Sequence, residues 1–292
     1  MPTTRVYRFQ DESSEVQNAV SRARSFLDDA RYPLGTALID HVTGNAPAGD
    51  VIQALATYQN PDGGFGRGLE VDIESPSSNP FATRLAMAVL LAIRNRPGSS
   101  LETDLGTWLV ENQSEDGDWH LSAETRSGNL APWFAAWTHP NLNPACCLAG
   151  LAARLGLGTP TMFERVASLF ESEASIEQAR TADFYSLLPY VEYVGGIAIP
   201  NRDAYLDSIA ENIAANFSTI YADAAHFWDH VLAAGPDLVH RLPESLLDEM
   251  ARGLLDEQSE DGGWPSPYSP AWRPHATLGA AVALMDLTTG IE

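Results

Sequence analysis

Apolar side chains recur along this chain with helical spacing, and no segment shows the sustained alternation of a β-strand. Two kinds of helical segment alternate along the chain. The first kind mixes polar and apolar positions and covers 15–30, 50–58, 101–112, 160–172, 203–217 and 243–257. The second kind is apolar or aromatic nearly all round and covers 33–43, 79–95, 143–155, 183–195, 224–234 and 273–288. Because a helix with one polar face suits an outer layer and a uniformly apolar helix an inner one, the pattern predicts an all-α chain of six helical hairpins.

A short string recurs at the end of three of the mixed segments. It reads Gln-x-x-Asp-Gly-x-aromatic and is anchored at Gln59, Gln113 and Gln258. The anchors lie 54 and 145 residues apart, and self-similarity at a period of about 50 residues indicates a repeat architecture. The helix after each string has proline in its first turn, at Pro80, Pro144 and Pro274. We therefore expect an (α/α)6 toroid, formed as a single domain over 1–292.

These strings resemble the QW-type repeats of squalene/hopene cyclases and the related repeats of the protein prenyltransferase β-subunit. The resemblance covers three of the six units and implies an α/α toroid that acts on an isoprenoid in a central cavity, with the Gln, Asp and aromatic residues holding the turns. The Asp-x-Asp-Asp acid motif of the cyclases is absent, and the nearest string is Asp72-Ile73-Glu74. His275 is similar to the zinc-binding His of the prenyltransferases, but no Asp-x-Cys pair accompanies it.

The charge balance narrows the classes of partner and chemistry. With 17 basic and 39 acidic residues the chain has a formal charge of −22, which disfavours nucleic acid and anionic membranes. All basic residues are Arg, so Schiff-base and P-loop lysines are excluded. The N-terminus lacks the apolar core of a signal peptide, and the apolar run 85–93 is too short to span a bilayer. We expect a soluble cytoplasmic protein, whose oligomeric state the sequence leaves open.

The first candidate chemistry is an acidic loop that follows the first string. Glu70, Asp72 and Glu74 alternate over five residues. Crowded carboxyls raise one another's pKa, so one of them could act as a general acid, and their oxygens could bind Mg²⁺. The simpler interpretation is a solvated acidic loop or a pair of helix caps.

Further candidate acids and bases lie on predicted inner helices. His226 and His230 are four residues apart and share a helix face, where one could transfer protons or both could bind a metal with a third ligand; two helix-end histidines are the simpler interpretation. Asp183 is either a helix N-cap or an acid. Glu192 lies in the middle of a helix and could donate a proton, unless an Arg partner makes it structural.

The candidate substrate-binding residues are aromatic or cationic. Aromatic faces stabilise positive charge, although core packing is the simpler role for most of them. Arginine could hold a diphosphate by bidentate contacts or could pair with the surplus acids. The set comprises Trp133, Trp137, Tyr185, Trp228, Trp272, His275, Arg84 and Arg273.

The resemblance to the cyclases, together with these residues, implies a terpenoid cyclase-like or isoprenoid-processing enzyme, in which a carboxylic acid or His supplies a proton to an apolar substrate. No tightly bound organic cofactor is implied, and Mg²⁺ is an option. A carbohydrate-active toroid would instead use two of the carboxylates from Asp72, Glu74, Asp183 and Glu192. A protein that binds an apolar ligand without catalysis is a third reading.

Overall fold

The computed structural model describes residues 7–9 and 13–289. Within these ranges the chain forms sixteen α-helices and one short 3-10 helix. The α-helices are α1 (Ser13–Asp29), α2 (Pro33–Val42), α3 (Ala48–Ala56), α4 (Pro80–Ala92), α5 (Ser100–Glu111), α6 (Ala123–Ser127), α7 (Pro132–Ala135), α8 (Leu142–Leu155), α9 (Pro160–Glu173), α10 (Ile176–Thr181), α11 (Phe184–Gly196), α12 (Arg202–Ile220), α13 (Ala224–Ala234), α14 (Pro236–Val239), α15 (Glu244–Asp256) and α16 (Arg273–Thr289). The 3-10 helix, Pro270–Trp272, leads directly into α16.

The all-α class is confirmed, and each of the twelve predicted helical segments coincides with a helix to within a few residues. The sequence pattern missed four short helices, α6, α7, α10 and α14. They are too short to complete the repeating apolar spacing on which the prediction depends. Isolated β-bridges join extended residues of the backbone, such as Ile73 and Leu130. No β-strand forms within the described residues.

Contacts divide the chain into two units. The first unit contains the described residues of Met1–Pro47, Ala179–Leu187 and Pro200–Glu292, and the second contains Ala48–Gln178 and Leu188–Ile199. In the first unit α1, α2, α13, α15 and α16 pack together, and in the second α4 packs on α8, which packs on α9. No helix in the described part of the chain is long and apolar enough to cross a lipid bilayer.

The glutamine of each repeat string joins its own turn to a neighbouring helix. Gln113 Nε2 donates to the carbonyl oxygens of Gly117, at 3.1 Å, and of Met162, at 3.0 Å. Gln59 makes the matching pair of bonds within its turn and to α5, and Gln258 makes them within its turn and to Ala19 of α1. The string is therefore a structural joint, and its last copy ties the end of α15 to the first helix of the chain.

The glycine of each string allows this close approach. Gly63 has φ +90°, which L side chains rarely adopt, and a Cβ there would lie 2.2 Å from the Asp104 carbonyl oxygen. Gly117 and Gly262 have φ +92° and +89°, and in both a Cβ would lie 2.5 Å from a carbonyl oxygen of the facing helix. Since the same contact recurs three times, the repeat is one of geometry as well as of sequence.

The second copy departs from the other two at a pair of positions. In the first copy the Thr83 hydroxyl accepts the N–H of the buried turn aromatic, and Thr277 does so in the third copy. In the second copy Cys147 occupies that position, and Asp118 replaces the glycine before the aromatic residue. Asp118 Oδ1 accepts the Trp119 N–H at 2.7 Å. The aspartate thus takes over the role of the threonine, and the Cys147 thiol is released for other contacts.

Candidate functional site

A buried ion pair occupies the second unit. Arg84 of α4 donates from Nη2 to Glu192 Oε1 at 2.6 Å, and from Nε to the same carboxylate at 3.0 and 3.2 Å. The two side chains are only 14% and 3% exposed. Removing two such charges from water is costly, so a pair held this deep in an apolar helical unit is a candidate for function as well as structure.

Cys147 of α8 adds a thiol to this pair. Burial raises the pKa of Cys147 well above its ordinary value, and the negative charge of Glu192 adds to the rise against the opposing charge of Arg84. The thiol is therefore protonated, and its Sγ donates to Asn143 Oδ1 at 3.7 Å. Arg154, also on α8, is an exposed residue. Desolvation lowers the pKa of Arg154, and the charge of Glu192 opposes that effect.

Glu70 is the second buried carboxyl of this region. It lies in the turn that follows the first repeat string and is 6% exposed. Its Oε1 accepts the Asp72 N–H at 3.1 Å. Burial raises the pKa of Glu70 to about 8, against the opposing effects of that hydrogen bond and of the Arg84 charge. Glu70 consequently holds its proton at neutral pH, while Arg84 is matched by Glu192.

An aromatic cluster begins where the Glu70 turn ends. The Ile73 N–H donates to the Glu70 carbonyl at 3.1 Å, and the Ile73 side chain packs with Phe81 and Phe134. Phe81 lies 4.5 Å from Phe134 and 4.9 Å from Trp137, measured between ring centroids. The Trp137 Nε1 is buried and has no acceptor among the described residues. The second unit thus contains a buried carboxyl on a turn that leads into this cluster at Ile73, and a buried indole N–H without an acceptor among the described residues.

The other predicted residues of this unit differ in their surroundings. Asp72 is half-buried, and Glu74 is exposed. Trp133 is 54% exposed, whereas Trp137 belongs to the aromatic cluster. Of the three carboxyls in the acidic loop, therefore, the structure buries Glu70 and leaves the candidate acids Asp72 and Glu74 half-buried and exposed.

A group of three potential metal ligands gathers elsewhere in the second unit. The ligand atoms of Asp118, His120 and His139 all lie within 4.8 Å of one another. Among the described residues these three form the one group with such spacing. His139 Nε2 accepts the Leu121 N–H at 3.2 Å, so its ring proton lies on Nδ1 and is donated to Asp118 Oδ2 across 2.5 Å. Binding of a metal ion to Nδ1 of His139 would move the ring proton to Nε2, where it would face the N–H of Leu121.

The remaining donors of this group are also engaged. Asp118 Oδ2 accepts the Asn141 N–H at 3.0 Å, and His120 Nε2 lies 2.9 Å from Asp116 Oδ2. The bonds of Asp118 to His139 and Asn141 fasten the beginning of the 115–142 segment to its end. We assign Asp118 and His139 a structural role. The sequence pattern did not reveal this pair, because the two residues lie 21 positions apart in the chain.

The first unit contains the histidine candidates on α13. Asp223 caps this helix. Its Oδ1 accepts hydrogen bonds from the backbone N–H of His226, at 2.9 Å, and from the ring Nδ1 of His226, at 2.6 Å. Burial alone would lower the pKa of His226, but Asp223, Asp229 and Glu257 together raise it above its ordinary value. His230 is fully buried, with its ring stacked 4.4 Å from Phe184. The two histidines therefore have different roles, with His226 near the surface and His230 in the core.

The other candidates of the first unit take structural positions. Asp183 caps α11, where its Oδ1 accepts the Ser186 N–H at 2.9 Å. Trp228 is fully buried in the core. Arg273 makes a bidentate ion pair with Asp261, at 2.9 and 3.0 Å.

His275 and its neighbours form a second aromatic contact in this unit. Its ring lies 5.0 Å from Tyr32 and 5.1 Å from Trp272, and burial lowers the pKa of His275 to about 4. It is therefore neutral at physiological pH.

Two residues near this ion pair, Cys147 and Arg154, were not singled out as site residues in the sequence, and Glu70 was named there only as one of the three carboxyls of the acidic loop. One signal was available, because Cys147 occupies the place of a threonine in the other two copies of the repeat. The burial of Glu70 had no local signal, since it depends on segments far away in the chain.

Comparison with known proteins yields a likeness of fold. No protein-family model and no curated protein matches the chain. Among solved structures, it is similar to the crystal structure of a protein from Actinoplanes, with a TM-score of 0.53 and 18% identity over 92% of this chain and 98% of that one. At this level of identity the likeness establishes a shared fold and carries no activity.

Proposed function

We propose that the protein is a terpenoid cyclase-like or isoprenoid-processing enzyme that starts its reaction by protonating an apolar substrate, with Glu70 as the acid. The observation that carries this proposal is a buried, protonatable carboxyl on the turn that leads into the aromatic cluster, in addition to the charges that Arg84 and Glu192 neutralise between them. Acid-initiated chemistry needs such a group, because a carboxyl exposed to water would be ionised at neutral pH.

The proposed step is a proton transfer to a carbon–carbon double bond. The Glu70 O–H bond breaks, a C–H bond forms at one alkene carbon, and a carbocation develops at the other. The carboxylate left behind lies near Arg84, whose charge already lowers the pKa of Glu70 and would stabilise the ionised form. The faces of Phe81, Phe134 and Trp137 supply electron density toward the cation.

The other two functions draw less support. A carbohydrate-active enzyme would need two free carboxylates, but Glu192 is paired with Arg84 and Asp183 caps α11. Non-catalytic binding of an apolar ligand would make no use of a protonated Glu70, although it would use the same aromatic cluster.

Product analysis tests the proposal. The purified protein is incubated with squalene and with linear prenyl diphosphates, with and without Mg²⁺, and extracts are analysed by gas chromatography–mass spectrometry. A new cyclised hydrocarbon or alcohol is expected with the wild type. Glu70→Gln should abolish it, because glutamine has the same shape and no acidic proton. Glu74→Gln is the matched control, since Glu74 lies on the same loop but is exposed.

The outcomes separate the isoprenoid function from the other two and test Glu70 as the acid. Loss of product in Glu70→Gln with retention in Glu74→Gln supports the acid assignment. Equal activity of both variants contradicts it, even if the protein is a cyclase. Absence of product from the whole panel counts against the isoprenoid function and favours the carbohydrate and ligand-binding functions.

A further inference from the structure

Two large aromatic side chains lie exposed next to each other in the first unit. Tyr185 and Tyr268 are 56% and 45% exposed, and they belong to the few large hydrophobic residues of the described chain with exposure this high. Their ring centroids are 6.0 Å apart and their planes are inclined by 45°. Because folding places side chains from α11 and from the segment before α16 together at the surface, the pair calls for a functional explanation.

Rings behind the two tyrosines hold them in place. Tyr185 meets Phe184 edge to face at 5.2 Å, and Tyr268 meets His226 in the same way at 5.4 Å. Phe184 and His226 are themselves 4.9 Å apart, so the four rings form a closed circuit. Since Asp223 fixes the His226 ring through a 2.6 Å contact, the exposed faces are preorganised and lose little freedom when a ligand binds.

The charge around this tyrosine pair is negative in balance, because four carboxylates, Asp223, Asp229, Glu260 and Asp261, outnumber the two basic groups, His226 and Arg273. Burial and a hydrogen bond to Tyr185 raise the pKa of Tyr268, and the carboxylates of Asp223 and Asp229 raise it further. Asp223 Oδ1 lies 2.6 Å from Nδ1 of His226, whose ring centroid is 5.4 Å from that of Tyr268. Tyr268 also forms one wall of an open depression of about 630 Å³, which Glu260 lines as well. Glu260 forms no ion pair with the described residues, whereas Asp261 beside it is neutralised by Arg273.

We propose that Tyr185 and Tyr268 form the binding site for an organic cation, an ammonium or guanidinium group of a small molecule or peptide. Ring faces attract cations, and the neighbouring carboxylates add to this attraction and repel anions. The net charge of −22 draws cations from a distance. A neutral apolar ligand would contact the same rings but would gain nothing from the carboxylates.

Titration calorimetry on the full chain tests this site. The cation probes are choline, butylamine and butylguanidine, and the neutral control is 3,3-dimethylbutan-1-ol, which has the shape of choline without its charge. At least one cation should bind, and at least tenfold more tightly than the alcohol. Added salt should weaken the binding, because part of the attraction comes from exposed carboxylates.

Variants separate the site from general attraction to an acidic surface. Tyr268→Leu should weaken cation binding on the order of fivefold, whereas Tyr268→Phe, which keeps the ring face, should bind like the wild type. Trp133→Leu is the control, because it removes an exposed aromatic ring from the second unit. Melting curves check that each variant is folded. If Tyr268→Leu does not fold, the conservative Tyr268→Phe remains available for the comparison.

Three results would overturn the proposal: no binding of any cation, equal binding of the neutral alcohol, or equal losses in Tyr268→Leu and Trp133→Leu. The cation site is independent of the acid chemistry proposed for Glu70. Glu70→Gln should therefore bind choline like the wild type, and failure of one proposal leaves the other standing.

Discussion

Replacing Glu70 with Gln should remove a pH-dependent cost to stability. Burial raises the pKa of Glu70 from 4.5 to about 8. Each pKa unit corresponds to ~1.4 kcal/mol, so ionisation of this group destabilises the folded state by about 5 kcal/mol at most. The unfolded chain releases the proton near its ordinary pKa and the folded chain releases it only near 8, so the folded state binds more protons throughout this interval. Stability contributed by the protonated carboxyl is therefore complete at low pH and is lost as pH rises toward 8.

The assay compares urea unfolding of the wild type and Glu70→Gln at about pH 5 and about pH 9. Glutamine is close in shape and neutral, and its carbonyl oxygen can still accept the Asp72 N–H. Between the two pH values the wild type should lose about 4 kcal/mol relative to the variant. Glu74→Gln should show no such difference from the wild type, because Glu74 is exposed. A wild-type-to-Glu70→Gln difference that stays constant with pH would show that the Glu70 carboxyl is not protonated in the folded state, and would refute the acid assignment with it.

The remaining predictions concern the ion pair and the repeat turns. Glu192→Gln leaves the guanidinium of α4 without its buried counter-charge and should lower the unfolding free energy by about 3–5 kcal/mol in urea titrations; a loss under about 1 kcal/mol would mean that water already reaches the pair. Gly63→Ala should be about 1–3 kcal/mol more destabilising than Gly68→Ala in thermal melts, because both glycines have positive φ but only Gly63 faces a carbonyl of α5, and nothing lies within 4 Å of a Cβ at Gly68. Asp118→Gly should cost about 2–4 kcal/mol by leaving buried N–H groups without an acceptor, and adding Cys147→Thr should restore about 1 kcal/mol, since threonine supplies that acceptor in the other two copies. Strict additivity of the last two substitutions would contradict the exchange of roles between them.

Much of the fold could be predicted because its signals are local. Twelve helices follow from apolar spacing, and α13 has the predicted bounds, 224–234. The three strings were interpreted as structural turns, and their hydrogen bonds match that interpretation. The short helices α6 and α7 could not be predicted in the same way, because they are held by contacts within the 115–142 segment, such as the bond between Asp118 and His139.

The candidate site was only partly predictable. Glu192 was recognised as a carboxylate in the middle of an apolar helix, with an Arg partner as the structural alternative, and Arg84 is that partner. For Asp183 the sequence left a helix N-cap and an acid open, and its carboxylate caps α11. Glu70, Asp72 and Glu74 were indistinguishable as a sequence, because alternation along a loop does not show which side chain turns inward.

The sequence by itself determined the helices, the repeat and the acidic character, since each depends on residues close together in the chain or on composition alone. Only the tertiary structure decided which carboxyl is buried, which charge it faces and which aromatic rings meet at the surface. The reason is physical: the pKa of Glu70 depends on desolvation by segments remote in sequence, and the pairing of Tyr185 with Tyr268 joins residues from different parts of the chain. Local patterns specify the elements, but dielectric environment and proximity exist only after those elements have packed.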